Sequence, residues 1–216
     1  MRARLIAVPW PTVAGTLYIT GDADADELLN TDGTALMIGM LLDQQVPMEV
    51  AFNGPAKLRA RLGRFDAATI AAMDPDEFVA VCCQPPAIHR FGGVMGRRTH
   101  ALCRRLVDDF DGRAENIWAG AGSAESLYET LRTFDGFGDE KARIFIALLG
   151  KRMGVRPRGW KTVAGKFGEA TPRSVADSSS PASLAKVREW KKAQKAAKLD
   201  KQDRPLAPRA PRPARA

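Results

Sequence analysis

The sequence predicts an all-α fold, and three features of its 216 residues support that prediction. Apolar residues recur at helical spacing over 35–42 and again over 48–62. Acidic residues and a proline at 74–77 combine the signals that begin a helix. Only 17–20 has the composition of a β-strand. A protein made mainly of helices is therefore expected.

Local signals predict the remaining elements. The aspartates of 22–26 are interpreted as helix caps, because their spacing lacks the central Gly and terminal Glu of a calcium loop. The glycine-rich stretch 92–96 is expected to be a loop, and a basic amphipathic helix is expected over 97–110. The spacing of the apolar residues within 123–133 predicts a further helix.

The sharpest local signal is the pair Gly136 and Gly138, which lies between two predicted helices. Glycines at this spacing permit a tight turn, and the unpaired amides at the start of the next helix can hold a phosphate. The pattern fits a helix, hairpin, helix unit. An ordinary turn between helices is the alternative interpretation.

The net charge of the chain is concentrated at its C-terminus. Residues 185–216 contain eleven Lys or Arg and three Asp or Glu, whereas residues 1–184 are balanced, so this tail carries the whole net charge of +8. We predict a domain over 1–183, with its core at about 30–165, and a tail over 184–216 that is first helical and then Pro/Arg-rich and disordered. Such a tail attracts polyanions, and a purely solubilising role is the alternative.

Composition disfavours several classes of protein and site. No apolar run reaches the roughly eighteen residues of a membrane span, and the N-terminal apolar stretch is too short for a signal peptide, so a cytoplasmic location is expected. Cys82, Cys83 and Cys103 are expected to be small buried residues rather than disulfide or zinc ligands. His89 and His100 are assigned solvated or capping roles. Neither a metal nor a cofactor is expected.

Two motifs together resemble those of the helix-hairpin-helix glycosylase (HhH-GPD) superfamily of base-excision DNA repair. Leu-Leu-Asp-Gln-Gln-Val at 41–46 is similar to the family's leucine-leucine-serine-glutamine-glutamine-valine segment. About ninety residues later, Phe-Asp-Gly-Phe-Gly at 134–138 is similar to its leucine-proline-glycine-valine-glycine hairpin. Residues 74–110 resemble the middle helices of the family. The likeness covers about residues 30–165.

The resemblance implies a two-lobed domain that binds the minor groove of double-stranded DNA and turns a damaged nucleotide into a cleft between the lobes. Flipping is required because the glycosidic bond cannot be attacked within an intact stack. The glutamines of the first motif would probe or fill the gap, and the hairpin amides, with a nearby lysine, would hold a phosphate. The residues implied in these roles are Gln44, Gln45, Gly136, Phe137, Gly138 and Lys141.

The sequence departs from the family at its catalytic positions. The family's aspartate would fall at about 158–163, and no carboxylate lies between Glu140 and Glu169. The Schiff-base lysine of bifunctional members would fall at Glu140, with Lys141 one residue and about 100° of helical rotation further on, so lyase activity is not supported. The cysteines that hold the iron–sulfur cluster of some relatives are also missing after the domain.

The function implied is a monofunctional DNA N-glycosylase whose catalytic group is unknown. Asp43, Asp139, Glu140 and Glu169 are weak candidates because they are the carboxylates near the motifs. An alkylated purine is the favoured substrate, since a positively charged base is a good leaving group. A non-catalytic DNA-binding or damage-sensing module of the same fold is the alternative, and a helical scaffold unrelated to DNA is a third.

Trp160 and Lys161 complete the set of candidate DNA-binding residues. Trp160 stands at about the position of the missing aspartate and could stack on an extruded base, although packing at a helix end is the alternative. The expected partner is damaged duplex DNA, bound by a monomer that is associated with the nucleoid and not with a membrane.

Overall fold

A computed structural model describes residues 15–206, and within this range the chain forms helices and no β-strand. The all-α prediction is confirmed. No helix in the described range is long and apolar enough to cross a membrane. Two 3-10 turns, Gly165–Gly168 and Val175–Asp177, follow α11. The α-helices are α1 (Ala23–Thr31), α2 (Gly33–Leu42), α3 (Met48–Phe52), α4 (Gly54–Leu62), α5 (Ala67–Ala72), α6 (Pro75–Cys83), α7 (Gly92–Phe110), α8 (Glu115–Ala119), α9 (Ala124–Arg132), α10 (Asp139–Arg152), α11 (Trp160–Ala164) and α12 (Pro181–Ala196).

Two apolar helices form the centre of the fold. Every residue of α2 is buried, and α10 is buried from Ile144 to Gly150. A helix that is apolar on all sides has to be surrounded by other elements. Accordingly, α2 packs against α1, α3 and α4, while α10 packs against α9, α11 and the two 3-10 turns.

Aspartates begin several of the helices. Asp22, Asp32, Asp66 and Asp74 each accept a hydrogen bond from an amide in the first turn of the helix that follows. The capping interpretation of 22–26 is therefore confirmed at Asp22. Asp26 is buried and instead accepts hydrogen bonds from backbone amides of the preceding segment.

The β-prone segment 17–20 does not form a strand. The Leu17 amide donates to the side-chain oxygen of Asn30 at 2.8 Å, and the Tyr18 amide donates to the Ser178 carbonyl at 3.2 Å. A side chain and an irregular segment therefore satisfy amides that a sheet would otherwise pair. The β-branched and aromatic composition indicated burial here, not strand pairing.

Helix α7 begins at Gly92 rather than at Arg97, so the predicted glycine-rich loop is the first turn of the helix. A Cβ on Gly92 would lie 2.9 Å from Cys83 Sγ, and one on Gly96 would lie 3.2 Å from Cys82 Cβ. The glycines are needed because α6 and α7 pack closely, and not because the chain turns there.

The C-terminal helix α12 packs on the rest of the domain. Val187 is fully buried in the core. Beyond the helix, the Asp203 carboxylate accepts hydrogen bonds from Arg173 at 2.7 Å and Lys166 at 2.8 Å. The basic segment up to Leu206 is therefore part of the fold. The Pro/Arg-rich end that the sequence predicts to be disordered lies outside the described residues.

Candidate nucleic-acid interface

The hairpin between α9 and α10 is built around Gly136 and Phe137. Gly136 has a φ of 86°, in the left-handed region that favours glycine. Phe137 is 2% exposed, and its ring contacts the edge of the Phe145 ring at a centroid distance of 5.9 Å. Its amide donates to the Phe134 carbonyl at 3.0 Å. This corrects the sequence-based expectation for Phe137, whose amide is engaged within the hairpin and whose ring belongs to the core.

Gly138 is the exposed residue just before α10 and occupies the N-cap position of that helix. It has an ordinary extended conformation, with φ −75° and ψ −179°, and a Cβ placed on it would meet no atom within 4 Å. Among the described residues no side chain caps this helix, so its first-turn amides have no side-chain partner. The N-terminus of a helix of this length can hold an anion.

The two sequence motifs contact each other at the end of α2. Lys141 Nζ and Gln44 Nε2 both donate to the Leu41 carbonyl, at 2.9 and 2.8 Å. A Cβ on Gly136 would lie 2.6 Å from Leu41 Cδ1 and 3.1 Å from Gln44 Nε2. The loop after α2 therefore rests on the hairpin. We call the surface formed by residues 43–46, 89–98 and 134–141 the hairpin surface.

Lys141 lies in an unusual electrostatic environment at this surface. Burial lowers its pKa to about 8, Lys201 and Arg98 act in the same direction, and Asp43 opposes them. Burial also lowers the pKa of Lys191, which interacts with Asp43 as well. The Asp43 carboxyl group thus interacts with two amines whose pKa values burial lowers.

His89 joins the loop after α2 to the start of α7. Its Nδ1 accepts a hydrogen bond from the Phe91 amide at 3.0 Å, so Nε2 carries the proton and donates to the Gln44 carbonyl at 2.9 Å. His89 and His100 are 2% and 8% exposed, so the solvated role expected for them is wrong. Gln45, the next residue of the loop, is exposed and has a φ of 56°.

An exposed apolar pair stands beside this loop. Phe91 is 41% exposed and Val94 is 56% exposed, although both lie at the start of a helix that is otherwise packed on the core. The Arg90 guanidinium lies 4.5 Å from the centroid of the Phe91 ring and 3.5 Å from the Gln45 carbonyl. Apolar side chains flanked by cations can enter the grooves or the base stack of a nucleic acid.

Arg98 of α7 connects the hairpin to the loop. Its Nε lies 2.9 Å from a carboxylate oxygen of Asp135, and a terminal nitrogen lies 3.4 Å from the side-chain oxygen of Gln44. The three segments of the hairpin surface are therefore held together by one half-buried guanidinium.

The C-terminal segment adds cations next to the hairpin. Lys201 Nζ lies 2.9 Å from Glu140 Oε1, and Lys191 Nζ of α12 lies 3.2 Å from Met48 Sδ. Part of the basic tail is thus placed at the start of α10 by specific contacts and not only by general attraction.

Asp139, one of the four candidate catalytic carboxylates, already has hydrogen-bond and ion-pair partners within the protein. It accepts a hydrogen bond from the Tyr128 hydroxyl at 2.6 Å and pairs with Arg143 at 2.8 Å. These two groups hold the pKa of Asp139 below its usual range. A carboxyl group in this state is a poor proton donor.

The other three candidates differ in their partners. Glu140 is paired with the C-terminal segment, and Glu169 lies 3.7 Å from Arg173. Asp43 forms no ion pair within 4 Å with any residue of the described range, and it is half-buried beside Lys141. Of the four, Asp43 is the one best placed to face a ligand on the hairpin surface.

Trp160 and Lys161 lie elsewhere. The Trp160 indole packs against Gly150, where a Cβ would be 2.6 Å from the ring, near the C-terminal end of α10. At about 1.5 Å of rise per residue, the two ends of this helix are about 20 Å apart. The structure therefore does not bring Trp160 and Lys161 to the hairpin surface.

Sequence reasoning missed Phe91, Val94 and Arg98, and it did not place Lys191 or Lys201 at the hairpin. The exposure of the apolar pair depends on how α7 packs, and no local pattern shows that. The lysines stood out only as part of a charged tail. The feature that could have indicated their position is the amphipathic pattern of α12, because a helix with an apolar side, here including the buried Val187, has to pack against the domain.

No family model, curated protein or solved structure was found to match this chain. Among residues 15–206, no three His, Cys, Asp or Glu side chains are grouped in a way that could hold a metal ion. A functional assignment therefore depends on the geometry of the hairpin surface.

Proposed function

We propose that this protein is a two-lobed helix-hairpin-helix DNA glycosylase-like protein of base-excision repair. It binds damaged duplex DNA through the hairpin surface and cleaves the N-glycosidic bond of a flipped base without cutting the strand. The observation that carries the proposal is the direct contact between the two motifs, in which Gln44 and Lys141 bind one carbonyl of α2. The lobes would be α1–α7 and α8–α12, with the hairpin surface at their junction.

The geometry of Gly138 supports phosphate binding. A DNA backbone has to approach the helix N-terminus closely, and at Gly138, the residue just before the helix, an added Cβ would meet no described atom within 4 Å. Arg90, which is exposed just before α7, supplies positive charge on the hairpin surface. Arg97 and Arg98 of α7 are each paired with a carboxylate, at 2.8 and 2.9 Å, so they add less net charge. Phosphate contacts of this kind position a protein on the duplex without reading its sequence.

The pair Phe91 and Val94 supports distortion of the duplex. Minor-groove proteins insert apolar side chains between base steps and kink the DNA. Gln45, exposed in the adjacent loop, could then occupy the space that an extruded base leaves. Arg90 contacts both Phe91 and Gln45, so it connects the exposed apolar pair to the loop after α2.

Asp43 is the carboxyl group we assign to the chemistry. Departure of the base breaks the C1′–N bond and leaves positive charge on the sugar, and a nearby carboxylate stabilises that charge. Water then adds to C1′ and releases a proton, which completes the hydrolysis. A cationic alkylated purine leaves without strong acid catalysis, which suits a site with one available carboxyl group. Such a substrate would also account for a chain that lacks the aspartate of the family.

The alternative function is damage sensing without catalysis. Two observations favour it: no carboxylate occurs between Glu140 and Glu169, and Trp160, at about the position of the missing aspartate, packs against Gly150 near the C-terminal end of α10. A protein of this kind would retain the hairpin, the exposed apolar pair Phe91 and Val94 and the basic residues of the hairpin surface, and would bind a lesion without removing the base.

A single-turnover assay separates these functions. The full chain is incubated with duplexes that each contain one defined lesion, and the strands are analysed with and without hot alkali. Cleavage that needs alkali is the expected result and means a monofunctional glycosylase. Tight, salt-sensitive binding without cleavage means the sensor, and the slope of affinity against salt reports the number of phosphates contacted. Cleavage without alkali, with borohydride trapping at Lys141, would contradict the absence of lyase activity.

Matched variants locate the interface. Gly138→Thr should leave stability nearly unchanged, because the backbone conformation is ordinary, the added Cβ meets no described atom within 4 Å and threonine is a favourable N-cap residue. It should nevertheless weaken lesion binding. Gly122→Thr is the control, since a Cβ there also meets no atom within 4 Å. Phe91→Ala should weaken lesion binding more than Val107→Ala, which removes a comparably exposed side chain (38%) on the same helix. Equal affinities within each pair would argue against DNA docking at the hairpin surface.

A further inference from the structure

A cation-lined cavity lies at the C-terminal end of α10, away from the hairpin surface. Its volume is about 800 Å³, which is within the size range of small-molecule sites. Five basic and two acidic side chains line it. We call it the Trp160 cavity. The lining residues that matter here are Lys151, Arg152, Arg156, Trp160, Lys161 and Lys186.

Each of the two acidic side chains of the cavity has a cation within 4 Å. Asp177 pairs with Lys151 at 2.6 Å, and Lys151 also donates to the Glu169 carbonyl. The Glu169 carboxylate lies 3.7 Å from Arg173, a cation that does not line the cavity. Four of the five lining cations therefore have no carboxylate partner within 4 Å among the described residues.

These cations present hydrogen-bond donors that the protein does not use. Arg156 donates through Nε to the Gly150 carbonyl at 3.0 Å, which orients the guanidinium, while its terminal nitrogens have no partner within 15–206. Arg152 Nε is buried and has no hydrogen-bond partner in the described part of the chain. Lys161 and Lys186 are exposed at the rim. An oriented guanidinium with free terminal nitrogens is suited to a phosphate.

An aromatic ring completes the cavity. Trp160 is half-buried, and Lys161 Nζ lies 5.8 Å from the centroid of its indole. An indole beside lysine and arginine is the combination on which nucleobases stack while their phosphates are neutralised. An inorganic anion would need the cations but not the ring.

We propose that the Trp160 cavity binds a nucleoside phosphate, with the base against Trp160 and the phosphate on Arg156, Lys161 and Lys186. The ligand is either a free nucleotide or a terminal nucleotide of a nucleic-acid strand, which share this chemistry. The site is separate from the hairpin surface. It therefore gives the protein a second point of contact with nucleotides that does not depend on DNA binding at the hairpin surface.

Titration calorimetry with three probes tests this site in the full chain. Adenosine 5′-monophosphate should bind at least about tenfold more tightly than adenosine or inorganic phosphate, because only the nucleotide uses both the ring and the cations. Tighter binding of a 5′-phosphorylated tetranucleotide than of the mononucleotide would identify a strand as the source, and equal binding would identify a free nucleotide. No binding of the mononucleotide at millimolar concentration, or equal binding of inorganic phosphate, would overturn the proposal.

Paired variants assign the binding to the cavity. Replacing Lys161 and Lys186 together by glutamine should weaken the mononucleotide about tenfold. The control replaces Lys192 and Lys195, two equally exposed lysines of α12 outside the cavity, and should have no effect. Equal affinities for the two double variants would refute the assignment. Gly138→Thr should leave mononucleotide binding intact, so failure of this proposal can be told apart from failure of the proposed function.

Discussion

Replacing Lys141 by methionine should stabilise the protein at neutral pH. The substitution keeps the apolar stem of the side chain and removes the amine. Burial lowers the pKa of Lys141 from its usual value of 10.5 to about 8. This difference means that folding disfavours the charged amine by about 3 kcal/mol relative to the neutral one. The amine also donates to the Leu41 carbonyl at 2.9 Å, and losing that bond costs about 1–2 kcal/mol. The expected net gain is therefore about 1–2 kcal/mol.

The gain should depend on pH in a defined direction. Between about pH 8 and 10.5 the folded state releases the Lys141 proton while the unfolded state keeps it, so the stability of the wild type rises with pH in this window. The advantage of the methionine variant is then largest near pH 7 and is lost near pH 10. Above that window only the missing hydrogen bond to Leu41 separates the two proteins.

Urea unfolding of both proteins near pH 7 and near pH 10 measures this difference. Lys192→Met, at an exposed lysine of α12, is the control and should change neither value. An advantage that is the same at both pH values, or a variant that is less stable at both, would refute the reasoning. Direct titration of the Lys141 amine by NMR gives a second readout.

Two further predictions concern a glycine and a buried carboxyl group. Gly136→Ala should destabilise the fold by about 1–3 kcal/mol, because φ is 86° and the new Cβ would lie 2.6 Å from Leu41 Cδ1. Gly138→Ala should cost less, at most about 1 kcal/mol, because its Cβ meets no described atom within 4 Å and only the weaker N-cap preference of alanine acts against it. Thermal unfolding that ranks the two variants the other way would contradict the hairpin geometry. Burial raises the pKa of Asp32 from 3.8 to about 6, although its hydrogen bond from the Ala35 amide acts in the opposite direction. The folded state therefore holds a proton that the unfolded state has lost, and the stability of the protein falls as pH rises from about 4 to 6. Asp32→Asn keeps the cap and should gain up to about 3 kcal/mol near pH 7 and nothing near pH 4, and a gain that does not depend on pH would argue against a buried carboxyl group.

Much of the fold could be predicted because local rules decide it. The helical spacing of 35–42 and the acidic start of α6 correspond to real helices, since amphipathic or apolar periodicity and caps act within one element. The sequence pattern misplaces the start of α7, because Gly92 and Gly96 allow close packing against α6 and do not mark a turn. The segment 17–20 was misjudged because its amides find partners in distant parts of the chain.

The sequence by itself determined the helical class, the hairpin glycines and the excess of positive charge at the C-terminus. Only the tertiary structure decided which of these features meet. Lys141 faces Asp43 and Leu41 because α2 ends where α10 begins, whereas Trp160 lies near the other end of α10. Periodicity fixes how a residue is oriented within its own helix, but the distance between residues on different helices is set by how the whole core packs.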